Sequence, residues 1–182
     1  MMKKYTCLLL ILGLMAMPAH ASNGLFEQPS IYGAIQSNEL TETKESNIGL
    51  EVGVKAKKDI SDSSYITYGL GYANKTWEIK RLGTSIKTDS HWLTVPVNYH
   101  FKASAESSVY VGGYYHLILS DKIKYPEIEL KDQFKSNYGI TFGGSYKVTN
   151  SGTLSLDYQL GLSEVIGKDK ISTISLAYNH AF

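Results

Sequence analysis

The chain has 182 residues, a formal net charge of +1, 19% charged residues and 43% hydrophobic residues. This balance excludes a polytopic helical membrane protein, which needs repeated apolar runs of about 20 residues, and lends no support to nucleic-acid binding. Four prolines and balanced charge argue against disorder, while fourteen tyrosines and sixteen glycines point to strands and turns.

Residues 1–21 form an export address. Lys3 and Lys4 open it, an apolar run follows from Cys7 to Met17, Pro18 breaks the run, and Ala19-His20-Ala21 has the small-x-small form of a cleavage site. The run is too short to span a bilayer. The expected mature domain is residues 22–182, without cysteine, because Cys7 leaves with the signal. Losing Lys3 and Lys4 leaves sixteen basic against seventeen acidic residues.

From there the chain alternates with period two, which on a strand sends successive side chains to opposite faces. Residues 30–36 read as a weak first strand of ambiguous facing. In residues 48–55, Ile48, Leu50, Val52 and Val54 oppose Gly49, Glu51, Gly53 and Lys55. In residues 66–73, Ile66, Tyr68, Leu70 and Tyr72 oppose Thr67, Gly69, Gly71 and Ala73. Leu93, Val95, Val97, Tyr99 and Phe101 then oppose Thr94, Pro96, Asn98, His100 and Lys102. Residues 108–119 set Val109, Val111, Tyr115 and Leu117 against Ser108, Gly112, Tyr114 and His116. Residues 136–148, 153–163 and 173–182 repeat the pattern, which brings the expected total to eight strands.

One face is therefore apolar throughout. The other carries Glu51, Lys55, Asn98, His100, Lys102, His116, Lys147, Asp157 and Gln159 among many Gly, Ala and Ser residues. A soluble sandwich would put long charged residues on its wet face. Small residues suit the crowded lumen of a narrow barrel, with the apolar face and its tyrosines turned to lipid. The expected fold is all-β: an eight-stranded antiparallel up-and-down transmembrane β-barrel. Long connections at 74–90 and 120–135 alternate with shorter ones at 103–107 and 149–152, as external loops alternate with periplasmic turns. The connection at 57–64 is longer than a turn requires. Pro96 cannot donate a ladder hydrogen bond, so a bulge or a lumen water is expected there.

Two segments carry a family resemblance: Leu93-Thr94-Val95-Pro96-Val97-Asn98-Tyr99, and the terminal Leu176-Ala177-Tyr178-Asn179-His180-Ala181-Phe182. Through them the chain resembles the small outer-membrane β-barrel proteins of the opacity and Ail/Lom type and the barrel domain of outer-membrane protein A. The resemblance implies a monomer in the Gram-negative outer membrane. Its partners would be membrane lipid, lipopolysaccharide and the insertion machinery, which would read Tyr178 and Phe182. It also implies a structural or surface-interaction role, adhesion included, through external loops that offer Trp77, Lys80, Arg81, Lys87, Lys122, Lys124 and Tyr125 to a host or surface ligand. Two alternatives stay open: a narrow, porin-like ion or solute channel through the lumen charges, and an enzyme that modifies lipid A. No cofactor and no metal is expected. No mature histidine has a nucleophile two residues on, so the chain reads as a non-enzyme.

Overall fold

The computed structural model describes residues 28–42, 44–81, 84–124, 129–131 and 134–182. The alternating segments are strands β1 Pro29–Leu40, β2 Ser46–Ser61, β3 Ser64–Arg81, β4 Thr84–Lys102, β5 Ser107–Lys124, β6 Glu129–Lys131, β7 Asn137–Lys147, β8 Gly152–Gly161 and β9 Ile171–Ala181. Eight of them close an antiparallel barrel, because β4 pairs with β5 and β9 returns to β1. The small β6 lies against the far end of β5, from Lys122↔Lys131 to Lys124↔Glu129. The export segment lies outside the described residues.

Alternation decides the facing of the eight barrel strands. Ile48 is 74% exposed and Leu156 57%, whereas inward Gln36 and Thr173 are 1% exposed. Such a continuous exposed apolar surface is untenable in water but is the favourable state in lipid. The facing of the first strand is unambiguous in the barrel: Tyr32, Ala34, Gln36 and Asn38 point inward, and Ile35 points out. Among the described residues no helix is long and apolar enough to cross a membrane; the strands make the crossing.

The connections sort by barrel end. Residues 62–63, 103–106 and 148–151 make short turns at the end that carries β1's start and β9's finish, which makes this the periplasmic end. The long second connection expected at 57–64 shrinks to two residues. β2 runs on to Ser61, with a register irregularity between Asp59 and Ser61. At the other end, most of the expected loop at 74–90 is ladder instead. β3 and β4 stay paired out to Arg81↔Thr84, well beyond the reach of β1 and β2.

The bulge expected at Pro96 is not there. The β4–β5 ladder runs through Pro96↔Tyr114 in unbroken register, and the bulge lies at His91/Trp92. On the β3 side the ladder passes from Tyr68↔Val97 to Gly71↔Thr94 without pairing Gly69 and Leu70. The missing donor thus costs a local gap in one ladder and no extra residue.

Candidate functional site

The lumen is layered along its axis. At the periplasmic mouth lies a cavity of about 140 Å³ bordered by Lys55, Lys57, Thr67, Asn98, His100 and Tyr110. His100 is sandwiched between Tyr65 and Tyr110, with ring centroids 4.3 and 4.5 Å away, and hydrogen-bonds Thr67 at 2.9 Å. On the rim, Asp59 pairs with Lys57 at 3.1 Å and Lys102 at 3.4 Å. Asp59 lies beyond the last β1–β2 pair, Pro29↔Ala56, and is exposed at the mouth. Partial burial opposes its charge, but the Lys57 ammonium, the Gln28 amide and Lys102 together hold its carboxyl below the usual range.

Deeper in, two carboxylates face each other across the barrel. Tyr32 Oη and Gln36 Nε2 donate to Glu51. Tyr110 Oη at 3.1 Å and Gln159 Nε2 at 3.3 Å donate to Asp157. The Lys55 ammonium lies 4.2 Å from the Tyr32 ring centroid, within electrostatic reach of both acids. Tyr32→Phe removes a donor from a buried carboxylate and is expected to lower stability by about 1–3 kcal/mol. Urea unfolding in detergent would measure it.

Three inward tyrosines sit on glycines. A Cβ on Gly71 would strike Tyr32, one on Gly143 would strike Tyr110, and one on Gly139 would strike Tyr114. Each ring covers backbone left bare by the glycine and fills lumen volume.

Above the acids come His116, Asn137 and Thr94, then Lys75, whose buried ammonium has no hydrogen-bond partner and lies 6.0 Å from the Trp92 ring centroid. An apolar plug ends the column. Leu40, Trp77, Trp92, Phe134, Val165 and Ile171 pack together, each no more than 4% exposed. Phe134 meets Trp77 and Trp92 with centroids 6.4 and 6.0 Å apart. The backbone holds this plug in place. Phe134 N donates to Asp121, and Lys135 N donates to Val165 O at 2.7 Å. Glu42 N donates to Asp169, and Lys170 N donates to Thr41. The connections from β1 to β2, from β5 to β7 and from β8 to β9 are therefore tied across the outer mouth.

Of the residues expected in the lumen, Glu51, Asn98, His100, His116 and Gln159 are buried inside, and Lys55 and Asp157 face inward half-buried. Lys102 and Lys147 do not join them. Both keep inward parity but stand at strand ends past the closed wall, and both are exposed. Trp77 is a clear correction. The sequence pattern puts it on a surface loop, but it is fully buried in the plug, because β3 keeps its parity from Ala73 through Lys75 to Trp77. Lys80, Arg81, Lys87, Lys122 and Lys124 lie on the extended ends of β3, β4 and β5. Their side chains, and Tyr125 altogether, lie outside the described residues. Tyr178 is 44% exposed and Phe182 75%.

A closed antiparallel barrel with an apolar outer belt, a polar lumen and short turns at one end is the class of outer-membrane β-barrels. Residues 23–167 match the family described as "Outer membrane protein beta-barrel domain". This is more than half of the chain, so the protein belongs to that family and resides in the outer membrane. Among solved structures, Neisserial surface protein A has a TM-score of 0.63 at 17% identity, with 85% of this chain and 97% of that one covered. Ail, the attachment invasion locus protein of Yersinia pestis, has a TM-score of 0.51 at 14% identity, covering 86% and 100% respectively. A de novo designed transmembrane β-barrel reaches 0.50 at 11% identity, over 87% and 98%. At these identities the likeness is one of fold. No curated protein matches the chain.

Proposed function

We propose that the protein is a non-conducting outer-membrane scaffold that makes surface contacts, adhesion among them, through its raised outer rim. The observation that carries this reading is the plug. The outer mouth is filled by Trp77, Trp92 and Phe134 with their aliphatic neighbours, while β3, β4 and β5 project polar and basic residues past it. Loops and hairpins on a rigid scaffold are where binding usually resides. The name attachment invasion locus belongs to the Yersinia protein; here a comparable contact role rests on the rim. The reading includes cleavage after residue 21 and recognition of Tyr178 and Phe182 by the insertion machinery. It assigns no catalytic role.

Two measurements test it. In planar bilayers the wild-type protein is expected to give no steady conductance; a steady current abolished by Glu51→Gln or Asp157→Asn would favour the channel instead. On whole cells, trimming the β3–β4 hairpin beyond Thr76 and Asp89 is expected to reduce adhesion to matrix-coated surfaces several-fold, with the barrel still heat-modifiable on gels. Unchanged adhesion would sink the contact role.

A further inference from the structure

Between Glu51 and Asp157 the lumen keeps a cavity of about 20 Å³, room for one water-sized sphere. Its wall has an unusual bias. Gln36 and Gln159 each spend their amide nitrogen on a carboxylate, Glu51 and Asp157 respectively. Their oxygens are left over: Gln36 and Gln159 both line this cavity at no more than 8% exposure, and neither Oε1 has a hydrogen-bond partner. Thr94 also lines the cavity, and its Oγ1 is equally buried and unpartnered. Buried acceptors without donors are costly. An occupant that satisfies these two amide oxygens must donate or carry positive charge.

We propose that this cavity is a binding site for a single hard monovalent cation. Amide and hydroxyl oxygens beside carboxylates are the ligand set of hard cations. Among the described residues no group of three His, Cys, Asp or Glu side chains is placed to hold a metal, so the donor set does not suit a transition ion. The wall itself carries two carboxylates and a single ammonium, that of Lys55, a local excess of negative charge that favours a cation. Entry is from the periplasm. Lys55 and Asn98 border both this cavity and the periplasmic vestibule, whereas the plug seals the opposite side. Lys75 does not line the cavity but pairs with Gly49, one inward position above Glu51, so its positive charge opposes a cation bound below it.

The test uses the full barrel refolded in detergent, with heat unfolding read as the gel shift between folded and unfolded bands. Chloride salts of sodium, potassium and N-methylglucamine are compared at equal ionic strength. One alkali salt is expected to raise the midpoint by about 5 °C over N-methylglucamine. Gln36→Leu with Gln159→Leu should erase the difference, and Lys75→Met should enlarge it. Crystals of wild-type protein grown in rubidium chloride decide the matter even if the variants fail to fold. An anomalous peak within coordination distance of Gln36 and Gln159 is expected. Its absence, with only water in the cavity, overturns the proposal whatever the midpoints do. Neither result bears on the surface role, which stands or falls on the rim.

Discussion

Trp92→Ala is expected to destabilise the barrel by about 3–5 kcal/mol and to give it a conductance that the wild type lacks. Trp92 is fully buried and meets Phe134 edge-on at 6.0 Å, His116 at 6.3 Å and the Lys75 ammonium. Its indole nitrogen donates to Ser90 at 2.9 Å, and Ser90 in turn donates to the backbone of Lys75. Removing the ring takes apolar volume out of the plug and uncovers an unpartnered ammonium. Water is expected to follow, because the layers below are polar down to the periplasmic vestibule. Urea unfolding in detergent measures the first effect and single-barrel recordings the second. A variant that is both as stable and as silent as the wild type would show that Trp92 seals nothing.

The second large effect belongs to glycine. Gly139→Val is expected to abolish refolding, so that no fast-migrating folded band forms. A Cβ there would meet the carbonyl oxygen of Leu160 on β8 and the ring of Tyr114 on β5. The carbonyl belongs to a ladder and cannot retreat, and the ring is wedged in the lumen, so the clash has no soft side. Gly33→Val is the control. Gly33 faces lipid, and a Cβ added to it would meet nothing within 4 Å, so this variant should fold normally. Equal refolding of both variants would remove the packing argument for the tyrosine–glycine pairs.

Period two in the sequence is enough to read the eight barrel strands and the facing of all but the first, because one apolar face set against small polar residues has few other physical meanings; the ends of the barrel are told apart by connection length. Strand ends are harder. A strand that continues past the lipid stops showing apolar residues outside, so β3 and β4 read as a charged loop although their inward parity persists through Lys75 and Trp77. Lys102 and Lys147 mislead in the opposite way, since parity continues there but the surrounding wall does not. Tyr32, Gln36 and Phe134 are hard to single out for a further reason. Their partners, Glu51, Gly71 and Trp92, become neighbours only through register. A bulky inward residue facing a glycine on an adjoining strand is the available signal, and it becomes visible only once strands are paired.

The seam between β1 and β9 sets a condition on time. Ile35 pairs across from Leu176, so almost the whole chain lies inside the ring that this pair closes. Bringing such distant segments together carries the largest loop-closure entropy and slows folding. Until then β1 and β9 each present a full row of bare amides and carbonyls, an invitation to the wrong strand. The exported chain therefore passes through its most aggregation-prone state between translocation and insertion. A substitution that loosens the seam should be felt there, as degraded or clumped chain in transit, before any change is seen in the finished barrel.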